Sequence, residues 1–198
     1  MLHQFELDFP PNGLENLLTC AVDKLMYLGI EIDDKQIDHV CYRVETVQEY
    51  LTIKSILLNH GSLLTESMIQ GRPISTFFLN TPIKFRNWVI PCVELPYPKE
   101  TSHYASGWEH LEIVISEQEQ RSCMNSVSDL REFMKKYPNV NFNTKAINKE
   151  VNADISIKIS DNSSIKFHCM PLNEVCQFEK SHDLIIPCLL YTSPSPRD

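Results

Sequence analysis

Sequence patterns that mark several common enzyme classes are missing from this chain of 198 residues. It has no glycine-rich phosphate loop of the GxGxxG or GxxxxGK(S/T) type, no HExxH motif and no GxSxG motif. Nucleotide-dependent chemistry and serine-hydrolase chemistry are therefore poorly supported. Another kind of site must carry any activity.

Paired cysteines and long apolar runs are also missing. The seven cysteines are odd in number, scattered, and form no CxxC pair, which argues against a zinc finger or a thioredoxin-type site. Buried free thiols are the simpler interpretation, and they predict a cytoplasmic protein. No apolar run approaches the roughly 20 residues of a membrane helix. Residues 1–8 lack a basic segment before an apolar core, so no signal peptide is predicted.

The chain also lacks an excess of positive charge. Lys plus Arg number 18 and Asp plus Glu number 26, which gives a net charge of -8. This balance disfavours phosphate backbones, and no basic run with interleaved aromatic residues offsets it. We therefore expect a small-molecule substrate rather than nucleic acid or membrane, and a monomer or homodimer.

The chain does contain a repeated strand pattern. Residues 37–44 and residues 108–115 each have an acidic residue, then a histidine, then an alternating β-prone run. A second strand follows each at a similar distance and ends in a further candidate ligand, Glu94 in the first case and His168 in the second. This spacing predicts a duplicated module that closes around one metal ion.

The periodicity of the apolar residues predicts an α+β fold. A leader helix at residues 14–28, with Asn12 as its cap, precedes two tandem βαβββ modules that form a curved mixed sheet around a cleft. Within the modules we expect Thr46 to cap a helix, a turn at residues 80–82, Pro91 at an edge or a bulge, and a strand at 140–147. The predicted divisions are residues 1–35 (helical leader), 36–100 (first module), 101–180 (second module) and 181–198 (disordered or non-native tail).

Four residues are candidate metal ligands. Alternate residues of a strand share a face, so packing the two first strands together would bring His39 and His110 into one cleft. Glu94 and His168 would complete the shell. Three imidazoles and one carboxylate suit Fe, Mn, Ni, Zn or Co and not a hard ion such as Ca. The alternative for each histidine is a hydrogen-bonded structural role, whereas Glu94, in an apolar strand, needs a cation, a donor or an exit to water.

Three further residues are candidates for catalysis. Glu112, in a His-x-Glu spacing with His110, is either a rival ligand or a base that moves a proton. Arg43 and Arg72 are candidate anchors for a substrate carboxylate or phosphate. For each arginine the alternative is an ordinary surface or salt-bridging role.

Four motifs in order resemble the YecM-like family, over about residues 14–174. They are DHVCYRVET at 38–46, ES at 66–67 followed by GRPI at 71–74, VELPYPK at 93–99 and GWEHLE at 107–112. That family is related to the vicinal-oxygen-chelate superfamily, which includes glyoxalase I and extradiol dioxygenases. The resemblance implies paired βαβββ modules around a metal cleft, with ligands from the first and last strands of each module.

Carried over residue by residue, the resemblance implies a divalent metal held by His39, Glu94, His110 and His168. Many superfamily members have Glu at the last position, so a histidine at 168 leaves the charge of the shell and the metal identity open. The implied chemistry is Lewis-acid stabilisation of an enolate-like intermediate by an isomerase, lyase or dioxygenase. Glu112 or a displaced Glu94 would move the proton. The alternative is a non-catalytic small-molecule or metal-binding protein of the same fold.

Overall fold

The computed structural model of the chain describes residues 13–32, 35–69, 71–99, 104–116 and 126–182. These ranges contain four helices and seven strands. The helices are α1 (Leu14–Tyr27), α2 (Val47–His60), α3 (Val127–Lys136) and α4 (Leu172–Ser181). The strands are β1 (Gln36–Arg43), β2 (Gly61–Ile69), β3 (Arg72–Phe85), β4 (Trp88–Pro96), β5 (Gly107–Val114), β6 (Ile155–Lys158) and β7 (Ser164–His168).

The seven strands form one mixed sheet in the order β2-β3-β4-β1-β5-β7-β6. At its centre β1 pairs antiparallel with β5, and each of these strands pairs in parallel with the last strand of its own repeat, β4 or β7. We call β1 to β4 with α2 the first half, and β5 to β7 with α3 the second half. The predicted α+β architecture is confirmed, and the module boundaries stay a prediction.

The helices form where the sequence predicts an apolar stripe and a cap. The buried residues of α1 follow the helical period, which seats the helix on the sheet; they are Leu14, Leu17, Leu18, Ala21, Val22 and Leu25. At the start of α2 the Thr46 Oγ1 accepts a hydrogen bond from the Glu49 backbone N–H at 3.1 Å, as predicted. The predicted cap of α1, Asn12, lies outside the described residues.

One continuous core joins α1 to both halves of the sheet. It includes Phe77 of β3, Ile90 of β4 and Leu111 of β5, all fully buried, and Phe133 of α3 against Phe167 of β7. Burial of this size is the main stabilising contribution to the fold, at about 25 cal/mol for each Å² of apolar surface removed from water. The core leaves the polar residues of β1, β4, β5 and β7 to line a cleft.

Two local predictions are wrong. Residues 140–147 form no strand and retain only a bridge between Asn143 and Ser156. Asparagines at 139, 141 and 143 favour turns over a ladder, and this explains the difference. The predicted turn at 80–82 instead lies within β3, which continues through an irregularity between Phe78 and Ile83. Pro91 lies opposite that irregularity, so its predicted place at a bulge is confirmed.

Helix α4 was not predicted. Its signals are Pro171 at the N-cap, Glu174 in the first turn, Lys180 in the last turn and buried Val175 and Cys176 on one face. Residues 183–198, most of the predicted tail, lie outside the described residues. In the part of the chain that the structure describes, no helix is both long and apolar enough to cross a membrane.

Candidate metal centre

Two β-bulges lie at the junction of the halves and orient the site. Along β1 the pairing with β5 shifts between Ile37 and His39, so Asp38 is the extra residue. Along β5 the extra residue is Glu109, between the partners of Cys41 and Tyr42. Each bulge residue is the acidic residue directly before a candidate histidine. Bulges concentrate next to active sites because they redirect side chains.

The two histidines and Glu94 converge as the sequence predicts. The rings of His39 and His110 are edge to face, with centroids 6.1 Å apart. Glu94 Oε2 lies 3.3 Å from His110 Nε2 and 4.0 Å from His39 Nε2. One potential ligand atom from each of these three residues lies within 4.8 Å of the other two. Two imidazoles and one carboxylate in this arrangement suit a divalent transition metal.

Glu112 lies against the same two rings. Its Oε1 is 3.5 Å from His39 Nε2 and 3.3 Å from His110 Nε2. It also accepts a hydrogen bond from Lys166 Nζ at 2.7 Å, and the same ammonium lies 2.9 Å from His110 Nε2. Glu112 is therefore placed equally well to be a ligand or to move a proton, the two alternatives left open by the sequence.

Asp38 holds the ring of His39. The Asp38 carboxylate accepts from His39 Nδ1 at 3.1 Å, from His168 Nε2 at 2.9 Å and from the Leu172 backbone N–H at 2.6 Å. A histidine that donates from Nδ1 to a carboxylate presents Nε2 to a metal, and such a partner also makes the ring a better ligand. Asp38 thus orients His39 toward Glu94 and ties the start of α4 to the site.

His168 lies beside the three converging residues and not among them. Its Nε2 donates to Asp38, and its Nδ1 lies 3.0 Å from Asn152 Oδ1 and 3.6 Å from Glu112 Oε2. The ring is fully buried. Both nitrogens thus face acceptors, an arrangement typical of a ring that orients its neighbours. Its role as a fourth ligand stays a prediction, and ligation would require one of these bonds to break.

Neighbouring groups of opposite charge compensate the buried charges of the site. Burial alone would raise the pKa of the Glu94 carboxyl, but the neighbouring His110, Lys166 and His39 lower it to about 2. The pKa of Glu112 falls well below its usual value against the same opposing burial, chiefly through Lys166 and His39. Burial disfavours a charged His39, but Asp38 and Glu112 raise its pKa well above the usual histidine value. Both glutamates are therefore carboxylates at neutral pH.

The converging residues line a cavity of about 350 Å³. Arg72 is on the same wall and donates from Nη1 to the Tyr97 carbonyl oxygen and the Tyr104 hydroxyl, each at 3.3 Å. These bonds hold the guanidinium in place. The volume admits a small metabolite and not a polymer. Arg72 thus lies in the wall of the cleft, and its role as a substrate anchor stays a prediction.

Arg43 faces another cavity. Its Nη1 lies 3.3 Å from Glu109 Oε1, and its guanidinium stacks 4.1 Å from the centroid of the Tyr104 ring. It lines a larger cavity of about 840 Å³, and Glu109 lines both cavities. The role of Arg43 as a substrate anchor stays a prediction.

Cys41 is the counterpart of Glu112 in the first half. On the central strand pair His39 lies opposite Glu112, and Cys41 lies opposite His110. Burial and the adjacent Glu94 raise the pKa of the Cys41 thiol well above its usual value. A neutral thiol is a poor nucleophile. One ligand atom from each of Cys41, Glu109 and His110 lies within 4.8 Å of the other two, so the thiol is next to the site.

Sequence reasoning missed three residues of the site: Asp38, Asn152 and Lys166. Asp38 is part of the repeated acidic–histidine pattern, and a carboxylate one residue before a candidate ligand was a usable signal. Asn152 lies in a loop with a φ of 49°, a left-handed conformation that asparagine tolerates. Lys166 gave no local signal, because its place depends on the pairing of β7 with β5.

The sequence of this chain is similar to that of known proteins. The family model described as YecM protein matches residues 14–179, which include every strand and nearly all of α4. This chain belongs to the YecM family. Protein YecM of Escherichia coli (strain K12) is 29% identical over 168 residues, which cover 81% of this chain and 88% of the relative.

Solved structures are similar as well. The structural-genomics protein EC4020 superposes with a TM-score of 0.64 at 25% identity, over 85% of this chain and 93% of its own. A more distant similarity is to methylmalonyl-CoA epimerase in complex with methylmalonyl-CoA and NH4+, with a TM-score of 0.45 at 10% identity. It covers 70% of this chain and 96% of the epimerase.

Proposed function

We propose that His39, Glu94 and His110 hold a divalent transition metal (Fe, Mn, Ni, Zn or Co) and that the chain is a metal-dependent enzyme. The observation that carries the proposal is the convergence of three ligand atoms, from three strands and both halves of the sheet, within 4.8 Å of one another. Two imidazole nitrogens and a carboxylate oxygen fit such a metal and leave open coordination positions for a substrate.

The substrate class is a small oxygen-bearing molecule with an anionic group. The cavity of about 350 Å³ limits its size, and Arg72 on the wall supplies a positive charge. Within the described residues both hydrogen bonds of Arg72 come from Nη1, so Nη2 and Nε remain for a carboxylate or phosphate. Arg43, beyond Glu109, stays a second candidate anchor.

The reaction class is isomerisation, lyase chemistry or oxygenation. The metal would supply Lewis-acid stabilisation of an enolate-like intermediate. Glu112 would move the proton, because its Oε1 lies 3.5 Å from His39 Nε2 and 3.3 Å from His110 Nε2, beside the position proposed for the metal. Asp38 keeps His39 in the ligating orientation. We keep cytoplasmic location and a monomeric or homodimeric state as predictions.

Metal content tests the proposal. The chain is purified without chelator or metal-affinity resin, and bound metals are measured by plasma mass spectrometry. We expect near one transition metal ion per chain in the natural sequence, and none in the His39→Ala, His110→Ala double variant. His182→Ala removes an exposed histidine at the end of α4 and is the control. Absence of metal from the natural chain, even after reloading with Fe, Mn, Ni and Zn, would contradict the proposal.

The second candidate function is a binding protein without turnover. The observation that favours it is Lys166, whose ammonium already balances the carboxylates where a metal would bind. In that case the cavity holds its small molecule with or without an ion. A natural chain that stays metal-free after reloading but binds small anions in a calorimeter would support this function.

A further inference from the structure

Lys166 lies at the edge of the proposed metal site and contacts one of its three ligands, His110. Its Nζ lies 2.9 Å from His110 Nε2 and 2.7 Å from Glu112 Oε1, while about a quarter of its side chain (26%) remains exposed to the cavity. A lysine among proposed ligands is unexpected, because an ammonium cannot coordinate a metal. Its position needs a separate explanation.

The strand pairing shows which position Lys166 takes. In the first half Cys41, two residues after His39, pairs with Glu94. In the second half Glu112, two residues after His110, pairs with Lys166. Lys166 is therefore the counterpart of Glu94, at the corner where the repeat would place a fourth ligand. His168 lies two residues beyond that corner.

Lys166 and a metal ion compete for the same atoms. The Nε2 of His110 has one lone pair, which either accepts the N–H of Lys166 or coordinates an ion. The two carboxylates, Glu94 and Glu112, attract either cation. A metal and the ammonium together would place two like-charged groups in contact within a buried site, which is costly.

We propose that Lys166 is an exchangeable internal cation: it occupies the ligand nitrogen of His110 in the metal-free protein and, when a metal binds, moves into the cavity to bind the anionic group of the substrate beside Arg72. The inference rests on the proposed metal site. It accounts for the exposed part of the side chain, since the ammonium has open space to enter. On this proposal, metal binding moves the Lys166 side chain, and the moved ammonium then binds the negatively charged group of the substrate.

Zinc titration by calorimetry tests the exchange. Chelator-stripped natural chain, Lys166→Met and the control Lys158→Met are compared; Lys158 is on the neighbouring strand β6 with 78% of its side chain exposed. We expect Lys166→Met to bind Zn²⁺ about tenfold more tightly than the natural chain, the scale on which groups next to a metal act. Lys158→Met should match the natural chain. Lys166→Gln, which keeps a donor for Glu112 without the charge, replaces Lys166→Met if that variant does not fold.

Stability gives a second readout. Without metal, Lys166→Met should unfold at a lower temperature than the natural chain, because two buried carboxylates lose their counter-charge. With Zn²⁺ the variant should gain more in unfolding temperature than the natural chain gains. A merely structural lysine would give the first loss and not the second gain.

The outcomes separate this inference from the proposed function. If the natural chain binds zinc and the Lys166 variants bind no more tightly, the exchange is overturned while the metal site stands. If no form binds zinc, the metal site fails and the exchange fails with it. If only the Lys166 variants bind zinc, Lys166 blocks the metal position permanently; this result overturns the exchange, and the natural chain is the binding protein of the second candidate function.

Discussion

The two halves of the sheet share a strand order but differ in their support. In the first half β3 has 14 residues and β4 has 9, whereas in the second half β6 has 4 and β7 has 5. The longer strands of the first half form more backbone hydrogen bonds with each other. The second half has shorter strands and is also stabilised by side-chain contacts, those of His168 with Asp38 and Asn152 and that of Lys166 with Glu112.

The halves also contribute different chemistry. The first half supplies His39 and Glu94, while the second supplies His110 and places Lys166 where the repeat predicts a ligand. The two halves thus keep the same strand pairing although the charge at one matching position differs, with Glu94 in the first half and Lys166 in the second. Paired substitutions at matching positions measure how far the halves have diverged.

The two bulge acids give the largest expected difference. Asp38→Asn should reduce the free energy of unfolding by about 3–5 kcal/mol, because it removes the buried charge shared by His39 and His168. Glu109→Gln, which removes a partly exposed pair with Arg43, should cost at most about 1 kcal/mol. Urea unfolding in chelator measures both. Equal costs would show that the bulges are interchangeable.

Substitutions at two glycines have the next largest expected effect on stability. A Cβ on Gly61 would collide with the backbone of Phe78, so Gly61→Ala should cost about 3 kcal/mol, the upper end for overpacking. Gly107 opens β5 with no atom near its Cβ position, and Gly107→Ala should stay within about 0.5 kcal/mol. Thermal unfolding compares the pair. A stable Gly61→Ala variant would refute the tight contact between β2 and β3.

The two glutamates of the site are predicted to differ in role. Glu94→Gln should weaken metal binding by about 10–100-fold and leave the fold intact, since a neutral amide replaces a charged ligand. Glu112→Gln should keep its metal and lose proton transfer. Metal content and calorimetry measure the metal affinity of both variants, with Glu179→Gln, which alters a residue lining the same cavity, as the control. Equal metal loss in both variants would make Glu112 a ligand, and unchanged metal in Glu94→Gln would remove Glu94 from the shell.

The smallest effect concerns pH. Glu66 of β2 accepts hydrogen bonds from Lys54, Ser75 and Tyr50; although burial opposes its charge, these contacts lower the pKa of Glu66 below the usual 4.5. A lowered pKa contributes stability that is fully present above the unfolded-state value and is lost as the pH falls through the folded-state value.

Glu66→Gln should therefore cost about 1 kcal/mol at neutral pH. The difference from the natural chain should shrink as the pH falls below the usual 4.5. Glu132→Gln in the second half, from an exposed pair with Lys135, is the control and should cost at most about 0.5 kcal/mol at neutral pH. Urea unfolding at a series of pH values tests both variants, and a gap for Glu66→Gln that is independent of pH would contradict the linkage.

Much of the fold was predictable because its signals are local. The alternation in β1 and β5, the apolar stripe of α1 and the cap at Thr46 each depend on a few adjacent residues. The strand predicted at 140–147 failed because apolar residues alternate there with asparagines that prefer turns. Helix α4 was missed although its apolar positions follow the helical period, because the segment borders the predicted tail.

The part of the candidate site that lies on the repeated strand pattern was predictable. The matching positions of His39 and His110 indicated their convergence, and Glu94 was indicated by its apolar strand. Lys166 and the displacement of His168 were not predictable, since both depend on the register between β5 and β7 and on the extra residue Asp38. Pairing between distant strands is fixed by the packed core as a whole.

The hydrogen bond from Leu172 to Asp38 has a consequence for the order of assembly. Asp38 is near the start of the first strand, and its acceptor capacity is filled only when the last helix has formed. During synthesis from the N-terminus, His39, Glu94 and His110 exist well before Leu172 does. The ring of His39 therefore receives its full support only after Leu172 has been synthesised. A chain cut short before α4 has all three proposed ligands but lacks the contact that completes the support of Asp38.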